Sequence, residues 1–235
     1  MQKPDLVPPS DVKWATKPAD LSTGNSITWT WTGSDAVDST SLESQVVLAS
    51  RNSSDSSVGA WSPTFAQNAK SYTVSKVVAG STYCLAIRLV DQSNNASKFI
   101  SPSCTTIAYD DAKFTPLKKK DWKKSKSKGT YLGTLLTSSK KSKLATLTAK
   151  GYVGASVCVL YSQDPGMGSF GILIGTVKKG APKATAGKHN TTQSVCVGAT
   201  VKSKDVIKVV VTKPGKGVEI DGFAVLPKAP KAPTS

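Results

Sequence analysis

The sequence predicts an all-β protein built as two consecutive β-sandwich domains. Three observations carry this. Apolar residues alternate with polar ones at period two rather than at helical spacing. Clusters of Gly, Pro, Asn, Asp and Ser punctuate the alternating runs at intervals that suit short strands. Ser, Thr, Gly and Val are abundant, while Glu occurs only at Glu43 and Glu219, which favours strands over helices. At 235 residues the chain is long enough for two domains of roughly 100–120 residues, each burying its own core.

Residues 1–9 read as an extended segment rich in Pro and Asp, and a first strand is expected near Val12–Thr16. In Ile27-Thr28-Trp29-Thr30-Trp31 the apolar side chains share one face, as in a half-buried strand. A loop from Gly33 to Thr40 leads to a strand around Ser44–Ala49, and the Ser/Asn/Asp/Gly cluster at 50–59 reads as a hairpin turn. Trp61 is expected to lead the next strand, followed by Tyr72-Thr73-Val74. Tyr83 to Val90 is a long strand with Tyr83, Leu85, Ile87 and Leu89 on one face. The turn Asp91 to Asn95 leads to a last strand through Phe99 and Cys104. About seven short strands separated by turn signals indicate a sandwich over residues 10–108.

Residues 109–130 read as a Lys-rich linker or opening strand. Alternation resumes over 131–226, in segments at 131–138, 143–150, 156–162, 171–178, 193–201, 205–212 and 217–226. This pattern predicts a second, jelly-roll-like sandwich. The tail 227–235, Pro-Lys-Ala-Pro-Lys-Ala-Pro-Thr-Ser, is linker-like and extended.

Net charge separates the two halves. Residues 1–110 hold eight basic groups against nine acids, about −1. Residues 111–235 hold the other 23 of the 31 basic groups, all Lys, against six of the 15 acids, about +17. Like charges this dense are solvated or face an anionic partner. The candidate polyanion-binding residues are Lys118, Lys119, Lys120, Lys123, Lys124, Lys126 and Lys128, then Lys140, Lys141 and Lys143. Lysine is a diffuse point charge and lacks the bidentate fork of arginine, so sequence-specific nucleic-acid recognition is not expected. A teichoic acid, an acidic glycan or another sequence-independent polyanion fits better.

The chemistry of turnover is thinly represented. Hydrolytic triads need a base near neutral pKa, and the single histidine, His189, sits in a polar loop without an evident partner. Glu219 and Asp221 share a face at i, i+2 and read as structural, with a bound cation as the minor option. Asp91, Asn94 and Asn95 could ligate calcium but are also standard turn formers. The Gly-rich 166–171 stretch lacks the strand-to-helix setting of a phosphate loop and reads as a sandwich hairpin. No cofactor, catalytic residue or metal ligand is therefore assigned. Aromatic rings can stack on the apolar faces of pyranoses, and Trp122, Tyr131, Tyr152, Tyr161 and Phe170 are the aromatics of the second half that could serve. Trp122 and Tyr131 are the candidates; core packing is the competing reading for every Tyr, and Trp122 is favoured by its place in the lysine run.

Four cysteines allow three pairings, with free thiols and a metal site as alternatives. No CxxC spacing occurs, which weakens the metal reading. Pairing within each half, Cys84–Cys104 and Cys158–Cys196, respects the domain boundary and would imply an oxidising compartment. Met1 to Asp5 lacks the apolar run of a signal peptide. The chain is then expected either as a mature fragment behind an added Met, secreted or at the cell surface, or as a non-secreted protein such as a virion component. No run approaches the ~20 apolar residues of a membrane span.

Trp31 closing its strand, the Ala-Gly-Ser-x-Tyr approach to a long strand (79–83) and Asp91-x-x-x-Asn95-x-Ser97 resemble a fibronectin type III domain over about residues 10–108. The resemblance implies a tyrosine corner at Tyr83, a phenol bonded to nearby backbone. The Cys84…Cys104 pair is absent from most members and resembles a bacterial, especially actinobacterial, secreted subtype that ties the last two strands together. Trp122…Tyr131-x-Gly133-Thr134, a hairpin at Gly175 and the closing Gly217 to Phe223 resemble the C-terminal sandwiches that follow such modules in large secreted bacterial proteins. These are similar in outline to carbohydrate-binding modules. Two functions follow as expectations. The first is a non-catalytic binding or adhesion module whose cationic sandwich contacts an anionic cell-surface polymer or glycan, the N-terminal domain serving as spacer or protein-contact unit. The alternative is a structural display subunit of a filament, surface layer or virion that meets neighbouring subunits through sandwich edges.

Overall fold

A computed structural model describes residues 5–37, 41–139, 141–142, 144–163, 165–180 and 190–234. Among these the helical elements are three short 3-10 turns, at Asp111–Lys113, Lys119–Asp121 and Tyr131–Gly133; the regular structure is otherwise strand. The chain divides into two compact units. One comprises Met1–Arg51, Ser57–Thr106 and Ala229–Ser235; the other comprises Asn52–Ser56 and Ile107–Lys228. The all-β, two-sandwich architecture expected from the alternation is the one observed.

The first unit contains β1 (Ser10–Thr16), β2 (Leu21–Ser22), β3 (Ser26–Ser34), β4 (Glu43–Asn52), β5 (Phe65–Gln67), β6 (Ser71–Ser75), β7 (Ser81–Val90) and β8 (Ser103–Ile107). They form a three-stranded sheet, β1-β3-β6, and a five-stranded sheet, β2-β8-β7-β4-β5. The alternation of β3 buries Ile27, Trp29 and Trp31. Both indoles reach the other sheet: Trp29 Nε1 donates to Ser103 Oγ at 3.0 Å and Trp31 Nε1 to Ser44 Oγ at 2.8 Å. Two large side chains are thus buried with no orphan donor. Strand β7 departs from one-faced burial, since Cys84 and Ala86 are as buried as Leu85, Ile87 and Leu89. Val78 N–H donates to Tyr83 Oη at 3.0 Å, the backbone bond that a tyrosine corner makes. Cys84 stands opposite Cys104 across β7 and β8, and the two are disulfide-bonded.

The second unit contains β9 (Tyr109–Asp110), β10 (Thr115–Pro116), β11 (Trp122–Lys126), β12 (Thr134–Ser138), β13 (Thr146–Lys150), β14 (Gly154–Gln163), β15 (Met167–Ile174), β16 (Val177–Gly180), β17 (Asn190–Val201), β18 (Val206–Gly215) and β19 (Glu219–Leu226). One sheet runs β10-β13-β18-β15-β16. The other runs β11-β12-β19-β14-β17, with β9 also paired to β19. Their core is apolar and continuous, with Leu147, Val157, Val159, Phe170, Ile172, Ile207, Ile220 and Phe223 among its fully buried members. Cys158 and Cys196 are paired in register across β14 and β17 and disulfide-bonded.

Several boundaries differ from the sequence reading. Residues 109–130, expected as a linker or opening strand, supply β9, β10 and β11. Phe114 packs on Phe223 at 4.5 Å and Tyr109 packs on it at 5.3 Å, so apolar burial draws this stretch into the sandwich. The alternating segment at 171–178 is two strands, with the hairpin at Gly175 that the resemblance implies: Gly175 at φ +61 turns β15 into β16. The Gly-rich stretch is not a hairpin: β14 and β15 lie in different sheets, so the chain crosses between layers there. Neither Trp61 nor Phe99 lies in a strand. In the tail, Lys231 O accepts a bond from Trp61 Nε1 at 3.3 Å.

Candidate functional site

Strand β11 ends its sheet and carries the centre of the lysine run. Its register pairs Trp122 with Ser138, Lys123 with Thr137 and Lys124 with Leu136. Trp122 turns into the core, while Lys118, Lys119, Lys120, Lys123, Lys124, Lys126 and Lys128 are all exposed. Charged side chains on an edge strand also keep its free backbone groups from pairing with another chain. Lys124 Nζ lies 3.8 Å from Asp111 Oδ1. The other six ammonium groups have no ion-pair partner among the described residues. Lys141 is exposed in the loop after β12; Lys140 and Lys143 lie outside the described residues, as does His189.

A pocket of about 460 Å³ opens where three chain segments meet: the 3-10 turn entering β11, the end of β12 and the β18–β19 turn. Lys120, Lys123 and Lys216 line it, one from each of the turn, β11 and the β18–β19 connection. Ser125, Thr137 and Ser139 add hydroxyls, and Asp121 adds a carboxylate. Backbone bonds fix these segments. Ser139 N–H donates to Asp121 O at 2.9 Å, Ser138 N–H to Val218 O at 2.8 Å, and Lys216 N–H to Gly166 O at 2.8 Å. Ser142 Oγ–H donates to Asp121 Oδ1 at 3.0 Å, and Val218 N–H donates to Ser138 Oγ at 2.8 Å. Gly217 is required at the turn. Its φ is +124, and a Cβ there would sit 3.0 Å from Ser138 O.

The structure buries one of the two sugar-stacking candidates, Trp122, and half-buries the other, Tyr131. Trp122 is 7% exposed and belongs to the apolar core, because the first residue of β11 faces inward. It touches the pocket, yet offers no free ring face, and its Nε1–H is buried without a hydrogen-bond partner. Tyr131 is half-buried, and its phenol donates to Ala108 O at 3.1 Å. Burial, then the nearby Asp110 and Asp221 carboxylates, hold that phenol above its usual pKa of 10.0. Phe170 and Tyr161 are core residues, and Tyr152 packs on Phe223 and Tyr109.

Acidic groups sit beside the lysine edge in structural roles. Asp221 is fully buried, and both carboxylate oxygens accept from Tyr131 N–H, at 3.0 and 2.9 Å. This matches the structural reading of that residue. Asp111 is also fully buried and accepts from Thr134 Oγ1, while its Oδ2 has no hydrogen-bond partner. Burial first, then the bonds and charge of Asp110, raise its pKa above the usual 3.8; Thr134 and Lys124 pull the other way. In the first unit Asp91 forms a turn with Asn95, whose N–H and Nδ2 donate to Oδ1 and Oδ2, each at 2.8 Å. The fold also brings Asp5 and Asp35 to Asp91, one carboxylate oxygen each within 4.8 Å. Hard cations take such oxygen sets, although Asn95 already engages both oxygens of Asp91. Sequence spacing could not reveal this group, since the three residues come from separate loops.

No family model matches the chain, and no curated relative matches it. Solved structures do. CsCBM6-3 from Clostridium stercorarium, in complex with cellobiose, matches 52% of this chain over 93% of its own, at 13% identity and TM-score 0.39. The α-L-rhamnosidase from Dictyoglumus thermophilum matches 93% of the chain at 11% identity and TM-score 0.40. A xanthan lyase from Paenibacillus matches 87% at 8% identity and TM-score 0.44. The chain spans 27% and 22% of those two enzymes' lengths. The class that its own sheets define is an all-β protein of two disulfide-bonded β-sandwich units, the second bearing the exposed lysine edge.

Proposed function

We propose that the chain is a non-catalytic binding or adhesion module of secreted or cell-surface proteins. Its second sandwich holds an anionic polymer or acidic glycan, and its first, fibronectin type III-like sandwich serves as spacer or protein-contact unit. One observation carries the reading. Seven lysines within Lys118–Lys128 are exposed on and around one edge strand, and six of them have no ion-pair partner among the described residues. Their mutual repulsion is relieved only by solvent, salt or an anion. The sheet order of the first unit and the Tyr83 bond support the fibronectin type III-like reading. The two disulfides fit an oxidising compartment, and among the described residues no helix is long and apolar enough to cross a membrane. Subunit assembly through β11 is disfavoured, because edge lysines oppose strand addition there.

Binding to an immobilised acidic polysaccharide across a sodium chloride series tests this. Affinity should fall steeply and linearly on a log–log plot as counterions compete, and the polymer should emerge uncut. Binding that ignores salt, or shortening of the polymer, would contradict the reading.

A further inference from the structure

We propose that the pocket at Trp122 is a subsite for one acidic sugar residue, a pyranose bearing a carboxylate or a sulfate, within the bound polymer. The inference rests on the binding reading above and narrows it from a charged surface to a place. Lys120, Lys123 and Lys216 come from three separate segments and line one opening, so the tertiary fold concentrates positive charge that the linear run does not. The volume, about 460 Å³, lies within the roughly 300–1,000 Å³ of small-ligand sites. The backbone bonds that pin Ser138, Ser139, Lys216 and Asp121 preorganise the opening.

The lining separates a sugar from a simpler anion. Hydroxyls of Ser125, Thr137 and Ser139 both donate and accept, as sugar hydroxyls require. The carboxylate of Asp121 can accept a bond from a ring hydroxyl, a donor that an ionised polyphosphate chain lacks. Trp122 lines the opening from the core side and adds a small apolar wall there. Lysine heads tolerate carboxylate and sulfate alike, because they act as point charges.

The test uses the full chain and three probes of matched charge at about 0.15 M salt: an oligogalacturonate, a heparin-derived oligosaccharide and a linear polyphosphate. Two triple variants remove equal charge, K120Q/K123Q/K216Q at the pocket and K150Q/K202Q/K204Q elsewhere on the second unit. All six positions are exposed, so both variants should keep the parent melting temperature. The pocket triple should weaken the better acidic oligosaccharide by about tenfold or more and erase its advantage over polyphosphate. The other triple should weaken all probes by a smaller, common factor. Lysine acetylation read by mass spectrometry should show Lys120, Lys123 and Lys216 shielded by the oligosaccharide while Lys202 and Lys204 react. Whichever sugar binds more tightly identifies the anionic substituent. Equal losses from both triples, or no preference over polyphosphate, overturn the subsite and leave the charged-surface reading standing. Failure of all three probes to bind removes both.

Discussion

Replacing Cys158 and Cys196 together by Ala removes the bridge between β14 and β17, which closes a loop of 38 residues. In the chain-entropy description a cross-link of that span disfavours the unfolded state by about 3.9 kcal/mol at 25 °C. The Cys84–Cys104 bridge spans 20 residues and gives about 3.3 kcal/mol by the same relation. A unit of roughly 120 residues shifts its midpoint by about 4 °C per kcal/mol. Differential scanning calorimetry of the double variant should therefore show the second-unit transition lowered by on the order of 15 °C. The corresponding variant of the first pair should lower the other transition by slightly less. The partners already face each other in register, so the native sheets need no rearrangement to lose the bond. A loss under about 1 kcal/mol in either variant would refute the reasoning, since it would mean the unfolded chain gains no freedom when the loop opens.

Gly222 faces Tyr109 O so closely that an added Cβ would meet it at 2.1 Å. Gly222→Ala should push β9 off β19 and cost the second unit about 2–3 kcal/mol or more in urea unfolding. Tyr83→Phe leaves Val78 N–H without its acceptor and should cost the first unit about 1 kcal/mol, with the second-unit midpoint unchanged. Asp111 titrates higher in the folded chain than its usual 3.8, so the folded state favours the protonated carboxyl. The stability this group permits is complete below pH 3.8 and is lost as pH rises through the raised value. Asp111→Asn should accordingly gain on the parent as pH climbs from about 4 and level off above that value; an advantage that shrinks with rising pH would contradict the assignment.

The lysine edge was legible in the sequence because charge density is a local property, and seven lysines in eleven residues must face water or an anion whatever the fold. The pocket was not. Lys216 stands almost ninety residues beyond Lys128 and joins Lys120 and Lys123 only because β18 and β19 turn back at Gly217 beside Ser138. Trp122 misled for a related reason. Its lysine neighbours suggested exposure, but period-two alternation places one side chain in two on the core face, and the start of β11 sets which one.

The sequence by itself determined the class of the protein. Alternation at period two, turn residues between the runs and four cysteines split evenly are short-range features, and they led to two β-sandwiches with an intradomain disulfide in each. Only the tertiary structure decided which strands share a sheet and where the chain crosses from β14 to β15. It also drew residues 109–126 into the second sandwich and assembled Asp5, Asp35 and Asp91 in the first. Those outcomes depend on burying apolar area between residues far apart in the chain, such as Phe114 and Tyr109 against Phe223, and no local pattern encodes the identity of a distant partner.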